Sequence, residues 1–222
     1  LGAALGALEF AGAAGSPPRW PLFDPPFCRR KPGVAKSRHV FLAGNDLPAR
    51  LCDGFHIAEL GFGTGLNLLA LAMEVPPGVT LRFTSFEAFP LPAADIARAL
   101  EHFPQARAIA DSFLAQWAAG ATSLSLPGVH AEVIIGDARD TLPRWQGRAD
   151  AWFLDGFSPA KNPELWSADL MAEVARHTAP GGTFATYTAA GHVRRALTDA
   201  GFAVTRQPGH GRKRHMTTGR RI

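Results

Sequence analysis

Cysteine is scarce in this sequence: its 222 residues include two, Cys28 and Cys52. A disulfide framework is therefore not expected, and four cysteines cannot come together around a zinc ion in this chain. The histidines at 56, 102 and 177 show no ligand spacing, so we expect no metal site. Without disulfides to indicate an oxidising compartment, we expect a cytoplasmic protein.

Long apolar runs are also missing. The nearest candidate for a membrane span, residues 112–131, contains Gln116, Pro127 and several serines, so we expect no membrane partner. The first fifteen residues are rich in Ala, Gly and Leu. They include Glu9 and precede the first basic residue, Arg19, a pattern that argues against a secretory signal.

Acidic residues are absent from two segments, Pro25–Asn45 and Ala200–Ile222, although the net charge is only +4. The second segment carries six cations: Arg206, Arg212, Lys213, Arg214, Arg220 and Arg221. Clustered cations can displace counterions from phosphates, which favours a polyanionic partner such as RNA. The alternative is that these side chains form solvated surface.

The chain divides into two parts that differ in composition and in hydrophobic pattern. Residues 1–38 are rich in Pro, Gly and Arg and predict an irregular N-terminal arm, followed by one domain over residues 39–222. From His56 onward, short apolar runs alternate with helical patterns, which is typical of a doubly wound, Rossmann-like α/β sheet.

Seven strands are predicted over His56–Leu60, Leu81–Glu87, Ala131–Gly136, Ala149–Leu154, Thr183–Thr188, Phe202–Arg206 and Arg214–Gly219. Five helices are predicted over Leu66–Glu74, Pro92–His102, Gln105–Trp117, Ser167–His177 and Gly191–Ala200, with Gly181–Gly182 as a stop between a helix and a strand.

The clearest motif is Glu59–Gly65, with the sequence ELGFGTG, between a predicted strand and a predicted helix. Glycines let the backbone turn sharply and let a ligand approach closely. A dinucleotide fingerprint needs a further glycine where this chain has Leu66, and Glu59 would hinder a phosphate. The pattern instead resembles motif I of class I S-adenosylmethionine-dependent methyltransferases. The alternative is a glycine-rich turn with no ligand.

Three acids follow predicted strands. Glu87 ends the second strand, where an acid can accept hydrogen bonds from ribose hydroxyls, although it could also be a solvated strand end. In the methyltransferases that the glycine motif resembles, an acid at the place of Asp137 and the N–H of its neighbour, here Ala138, read the adenine ring; the alternative is that Asp137 caps the turn that follows. Asp155 ends the fourth strand, where it would face the methyl acceptor and orient an amine. Phe157 could stack on a flat base or pack in the core.

Several segments together resemble one family, the tRNA wobble-uridine methyltransferases that comprise the methyltransferase domain of MnmC and the stand-alone MnmD. The resemblance runs from Phe23 to Gly219 and is carried by residues 40–45, 61–67, 152–163, 186–195 and 209–214. The stretch Phe23–Cys28 matches the family only in part, and Lys36 stands where the resemblance predicts an acid.

The resemblance implies methyl transfer from S-adenosylmethionine to the amine of 5-aminomethyl-2-thiouridine in tRNA. In bifunctional relatives an FAD-dependent oxidase domain prepares that amine, and we expect no such domain in this chain. The implied catalytic residue is Asp155. The implied cofactor-binding residues are Glu59, Gly61, Phe62, Gly63, Thr64, Gly65, Asn67, Glu87, Asp137, Ala138 and Asp155. The implied substrate-binding residues are Phe157, Lys161, Arg212, Lys213 and Arg214.

Two alternatives stay open at this point. One is a methyltransferase or aminopropyltransferase for a small free amine, which would favour an acidic pocket rather than basic chain ends. The other is a non-catalytic RNA-binding protein that has kept the fold, in which S-adenosylmethionine would bind without turnover.

Overall fold

The structure is a computed structural model that describes residues 33–222. These residues form an eight-stranded sheet with helices on both faces. The strands are β1 (His56–Leu60), β2 (Leu81–Glu87), β3 (Ser123–Leu126), β4 (Val129–Ile135), β5 (Ala149–Leu154), β6 (Thr178–Thr186), β7 (Phe202–Pro208) and β8 (His215–Arg221). The α-helices are α1 (Gly33–Lys36), α2 (Leu66–Ala72), α3 (Ala93–Leu100), α4 (Arg107–Ala118), α5 (Ala138–Thr141), α6 (Ala168–Arg176) and α7 (Gly191–Asp199).

The strand order is β3-β4-β2-β1-β5-β6-β8-β7. The five central strands are parallel, whereas β3 and the β7–β8 hairpin pair antiparallel to their neighbours. The chain leaves β1 toward β2 on one side and later returns to place β5 on the other. This reversal is a topological switch point, and ligands of open α/β sheets bind beside the carboxyl ends of the strands there.

The doubly wound fold is confirmed, but the count of seven strands is wrong. The additional strand is β3, which forms a hairpin with β4 at one edge of the sheet. Its four residues are alternately exposed and buried, as expected for a strand with one face on the core. So short an alternation is a weak signal, and Ser123 and Ser125 made the segment look polar.

The five predicted helices are present, each within two residues of its expected ends. The predicted stop at Gly181–Gly182 is wrong, because β6 begins at Thr178 and passes through both glycines. Gly181 has a positive φ of 69°, and the β5–β6 register shifts between Ala149 and Ala151. The glycines therefore accommodate an irregularity inside the strand rather than an end.

Residues 33–38, which the predicted irregular arm includes, are helical. The short helix α1 continues into a π-helical turn, Ser37–Leu42, and a 3-10 turn, Ala43–Asn45. Val34 and Phe41 are buried, so apolar packing holds this segment against the domain. The rest of the predicted arm, residues 1–32, lies outside the described residues.

Strand alternation divides the core into two layers. Along β1, Ile57 packs into the layer on one face of the sheet, and Ala58 and Leu60 pack into the other. Helix α2 is apolar nearly all round and almost wholly buried, which fixes the position of the loop before it. Within residues 33–222, the helices are too short or too polar to cross a membrane.

Candidate functional site

The glycine-rich loop between β1 and α2 lies at the carboxyl edge of the sheet. Gly61, Gly63 and Gly65 have positive φ angles of 89°, 54° and 71°. A Cβ at Gly61 would lie 2.8 Å from the backbone oxygen of Asp155, too close for a larger residue. A Cβ at Gly63 would meet no protein atom within 4 Å. The loop therefore needs glycine for its turn, and Gly63 leaves room for a ligand to approach the backbone.

The two non-glycine residues inside this loop differ. Phe62 is buried and packs on Phe113 and Trp117, with its ring stacked 5.1 Å from the Trp117 ring centroid. Its side chain is part of the core, so only its backbone can face a ligand. Thr64 is half-buried. Cofactor contact by either residue stays a prediction.

Glu87 is held by the loop it was expected to complement. One carboxylate oxygen accepts a hydrogen bond from the backbone N–H of Gly63 (2.9 Å), and the other from that of Phe89 (2.8 Å). Each oxygen has a second lone pair, so the carboxylate can still accept hydroxyl hydrogens. The structure therefore brings Glu87 and the glycine loop together, and the ribose contact of Glu87 stays a prediction.

Glu59 lies beneath the loop rather than at its surface. Its side chain is fully buried, and burial raises the pKa of its carboxyl group to about 8. Asn67 Nδ2 donates to Oε1 (2.8 Å) and Ser85 Oγ donates to Oε2 (2.7 Å), which opposes the upward shift. Both oxygens have protein partners, so Glu59 acts on the site through Asn67. A direct contact with cofactor stays a prediction.

Asn67 connects the two acids of the site. Its Nδ2 donates to Glu59 and also to Asp155 Oδ2, the latter at 2.9 Å. Its Oδ1 accepts a hydrogen bond from Ser37 Oγ. An amide nitrogen has two hydrogens, so both donors of Asn67 are used inside the protein. Asn67 therefore positions Asp155, a role different from the cofactor contact that the family resemblance implies.

Asp155 follows β5, directly beside β1 at the switch point. Its Oδ2 accepts from Asn67, and its Oδ1 lies 2.8 Å from the ammonium of Lys36. The side chain is largely buried, with 13% of its surface exposed. The carboxylate is thus fixed by two side chains and borders the glycine loop, where a methyl acceptor was expected.

Tyr187, which follows β6, lies beside Asp155. It is the chain's one tyrosine. Its hydroxyl donates to the Gly156 carbonyl (2.8 Å), and burial raises the pKa of its phenol above the usual range. Two ammonium groups lie over its ring, Lys36 at 4.8 Å and Lys213 at 5.3 Å from the centroid. Tyr187 therefore provides an aromatic surface beside the carboxylate.

Asp137 caps α5. Its carboxylate accepts from the backbone N–H of Arg139 (2.9 Å) and pairs with the Arg139 guanidinium, whose hydrogen bond lowers the Asp137 pKa. The predicted capping role is confirmed, and the adenine contact with buried Ala138 stays a prediction. Two large apolar side chains nearby, Phe89 and Ile135, are exposed at the ends of β2 and β4.

The loop after Asp155 is anchored by Trp166, whose indole N–H donates to the Phe157 carbonyl (2.7 Å). Phe157 itself is half-buried. Lys161 is exposed on a turn in which its N–H donates to the Ser158 carbonyl (2.7 Å). Substrate contacts by Phe157 and Lys161 stay predictions.

The basic turn, residues 209–214, joins β7 to β8. Arg212, Lys213 and Arg214 are all exposed, but only Lys213 reaches the Tyr187 ring in the described structure. The turn also contacts the helical segment Ser37–Leu42, because the His39 and His210 rings lie 5.4 Å apart. The three exposed cations therefore lie on a turn that reaches the site through Lys213.

Sequence reasoning missed four polar contributors: Lys36, Ser37, Ser85 and Tyr187. Each belongs to an element distant in sequence from Asp155, and only its place in the fold reveals its partner. For Tyr187 a signal existed, since the single tyrosine of the chain lies inside one of the family-like segments.

This sheet order, with a glycine loop after β1 and acids after β2 and β5, defines a class I methyltransferase. The sequence matches the model of an S-adenosyl-L-methionine-dependent methyltransferase family over residues 104–222, and the chain belongs to that family. Its methyl donor is therefore S-adenosyl-L-methionine.

Among curated proteins, the chain is similar to the tRNA 5-methylaminomethyl-2-thiouridine biosynthesis bifunctional protein MnmC. It is 46% identical to that of Pseudomonas paraeruginosa over 212 residues, which cover 89% of this chain and 32% of the relative. The Chromobacterium violaceum protein is 42% identical over 217 residues, with the same coverage. The chain thus spans about a third of the length of these relatives, and the predicted resemblance is confirmed.

Solved structures support the same relationship. MNMC2 from Aquifex aeolicus is 28% identical and superposes with a TM-score of 0.70, covering 84% of this chain and 60% of that one. The amino pentose methyltransferase CalS10 from Micromonospora echinaspora, at 14% identity, has a TM-score of 0.52 and covers 88% and 94%. The second likeness concerns the fold alone.

Proposed function

We propose that this chain transfers a methyl group from S-adenosyl-L-methionine to the amine of 5-aminomethyl-2-thiouridine at the tRNA wobble position. The product would be 5-methylaminomethyl-2-thiouridine. The observation that carries the proposal is the fixed Asp155 carboxylate beside the glycine loop, in a chain 46% identical to MnmC of Pseudomonas paraeruginosa.

The residues at the cofactor side fit the methyl donor. The space over Gly63 suits a backbone approach by the methionine part, and Glu87 has lone pairs for the ribose hydroxyls. Ile135 pairs with Glu87 in the β2–β4 register, so its exposed side chain and that of Phe89 offer an apolar surface for adenine beside Asp137. When bound, S-adenosyl-L-methionine supplies an electrophilic methyl group on a sulfonium.

On the acceptor side, the task of the protein is to present an amine lone pair. An amine accepts a methyl group only when its nitrogen is deprotonated. The Asp155 carboxylate can accept the hydrogens of that amine, aim its lone pair and take up the proton released afterwards. Asn67 fixes the carboxylate from below, so orientation supplies much of the rate.

The tRNA would lie along the basic turn. Exposed Arg212 and Arg214 would contact phosphates, while Lys213, which lies over the Tyr187 ring, would be nearer the reacting base. Half-buried Phe157, two residues after Asp155, would offer an aromatic face on which a flipped base could stack. The aminomethyl substrate must come from another activity, and the family resemblance implies an FAD-dependent oxidase, separate or fused.

The decisive experiment is nucleoside mass spectrometry. Unmethylated tRNA, from cells that lack the activity, is incubated with this protein and S-adenosyl-L-methionine carrying a deuterated methyl group. We expect the label in 5-methylaminomethyl-2-thiouridine, in an amount proportional to the 5-aminomethyl-2-thiouridine consumed. The Asp155→Asn variant is the matched control.

Two other outcomes would replace the proposal. Labelling of a small free amine, with tRNA unlabelled, would favour a small-molecule transferase. Binding of both tRNA and S-adenosyl-L-methionine without turnover would favour a non-catalytic RNA-binding protein.

A further inference from the structure

The ammonium of Lys36 lies in a small cage at the centre of the acceptor side. It is 2.8 Å from Asp155 Oδ1, 4.8 Å from the Tyr187 ring centroid and 5.4 Å from that of Phe41. A carboxylate and two aromatic faces are the groups that bind an ammonium ion. Lys36 therefore places its ammonium group 2.8 Å from one of the oxygens expected to hold the acceptor amine.

Within residues 33–222, the charged and titratable groups around Lys36 come from four segments. Asp155 follows β5, and Tyr187 follows β6 with its phenol neutral. Lys213, from the basic turn, lies over the same tyrosine ring. Glu59 is connected to Asp155 only through Asn67, and burial raises its pKa. Lys36 and Asp155 thus form the nearest pair of opposite charges, which together carry no net charge.

Asp155 retains capacity for a further donor. A carboxylate has about four lone-pair sites, and the described contacts use one on each oxygen, from Lys36 and from Asn67. An amine can therefore bind to Asp155 beside Lys36 without replacing it. A protonated amine at that place would have to approach the lysine ammonium closely, whereas a neutral amine would not.

We propose that Lys36 is a positioning residue that makes the acceptor site select the neutral, nucleophilic form of the substrate amine. This inference rests on the proposed function. Aliphatic amines have pKa values of about 8 to 10, so at neutral pH most of the substrate is ammonium. The Asp155 carboxylate alone would favour the ammonium form of the bound amine, whereas the like charge of Lys36 a few ångströms away opposes it and lowers the pKa of that amine, so that the proton leaves to solvent on binding.

The transfer step then balances. The nitrogen lone pair forms the new N–C bond, the C–S bond breaks, and its electron pair stays on sulfur. The product nitrogen carries the positive charge that sulfur has lost. Asp155 or solvent accepts a proton from that nitrogen as the product leaves. Lys36 takes no part in making or breaking bonds and acts only through its charge.

The first test is the pH dependence of single-turnover methylation of tRNA. In Lys36→Met, the bound amine faces Asp155 without the opposing cation, so its ammonium form is favoured. We expect the midpoint of the rising pH profile to move up by about one to two units, and the rate at pH 7 to fall about 10–100-fold. The rate should recover at alkaline pH.

Two variants control for charge and structure. Lys36→Arg keeps the positive charge, so the midpoint should stay near that of the parent. Arg38→Met removes a cation two residues away whose partner is Glu74, at 2.7 Å, so the midpoint should not move. Melting temperatures of all the variants report on folding.

The second test measures binding rather than turnover. An anticodon stem–loop with 5-aminomethyl-2-thiouridine is titrated into the protein holding S-adenosylhomocysteine, by calorimetry in buffers of different ionisation enthalpy. At pH 7 the parent should release close to one proton per bound stem–loop, and Lys36→Met should release far less. A stem–loop without the amine should release no such proton from either protein.

The outcomes separate this inference from the proposed function. If the parent methylates tRNA but Lys36→Met keeps its pH midpoint and its proton release, the inference is overturned and the proposed function stands. A Lys36→Met variant that is faster than the parent at pH 7 would make Lys36 a competitor of the substrate, which also overturns it. If the parent does not methylate tRNA, the proposed function fails, and the inference fails with it.

Discussion

The two halves of the site hold their carboxylates in different ways. On the proposed cofactor half, Glu87 accepts hydrogen bonds from the backbone N–H groups of Gly63 and Phe89. Asp137 accepts one from the backbone N–H of Arg139, with whose guanidinium it also pairs. On the acceptor half, Asp155 is held by the side chains of Lys36 and Asn67, which are 119 and 88 residues away in sequence.

This difference sets cofactor binding, a general function, apart from recognition of the methyl acceptor, a specific one. Backbone donors are available to any sequence that makes the turn, so the cofactor half depends mainly on glycines and strand ends. Side-chain donors can be exchanged by single substitutions, so the acceptor half can change its charge while the fold stays intact. Lys36, where the family resemblance predicts an acid, is such a change.

The largest effect is expected at the backbone of the cofactor half. In Gly63→Val, a branched side chain would fill the space above the loop. The backbone of the new residue would also have to keep a positive φ, which costs about 1–2 kcal/mol. We expect cofactor binding to fall below detection by calorimetry. Unchanged affinity in a folded variant would contradict the placement of the methionine part.

Glu59, which is connected to Asp155 through Asn67, should make the free energy of unfolding depend on pH. The pKa of Glu59 is raised to about 8 in the folded protein, so its contribution is fully present below its unfolded pKa, near 4.5, and is lost as pH rises through 8. Glu59→Gln should remove this loss, which we expect to be on the order of a few kcal/mol. Denaturant unfolding at pH 5 and pH 8 measures it. Parallel pH dependence in parent and variant would show that Glu59 titrates normally.

A smaller effect is expected at Glu87, whose role is confined to the cofactor half. Loss of a hydrogen bond that a charged group accepts from a hydroxyl costs about 1.5–3 kcal/mol, so Glu87→Ala should weaken cofactor binding by that amount. The rate at saturating cofactor should change less. Normal affinity with a collapsed rate would move Glu87 out of the ribose site.

The smallest effect per residue is expected on the outer surface of the acceptor half. Replacing Arg212, Lys213 and Arg214 by neutral residues should weaken tRNA binding and reduce its salt dependence by about one unit of slope per lost phosphate contact. Cofactor affinity should not change. A triple variant with the parent slope would mean that the basic turn is only solvated surface.

The strands and acids of the proposed cofactor half could be predicted from the sequence. The strands β1, β2 and β5 begin and end as expected, and the acids follow them, because strand ends and glycine turns are local patterns. Two other local elements were not predicted. The four residues of β3 and the helical residues 33–38 lack a clear periodic signal.

The acceptor half could be predicted only in part. Asp155 was found because it ends a strand, but its partners lie on α1, α2 and the segment after β6, and no spacing in the sequence connects them. The buried state of Glu59 was also missed, since a motif shows an acid without showing that Asn67 and Ser85 already bind it.

The most direct test of this account is the Asp155→Asn variant, in which side-chain size is kept and charge is lost. We expect cofactor affinity close to that of the parent and a single-turnover rate lower by about 10²–10⁴, the usual range for a lost acid–base group. Cofactor affinity, melting temperature and rate are measured on the same preparation. A near-normal rate with a lowered melting temperature would contradict the account and leave Asp155 a structural residue.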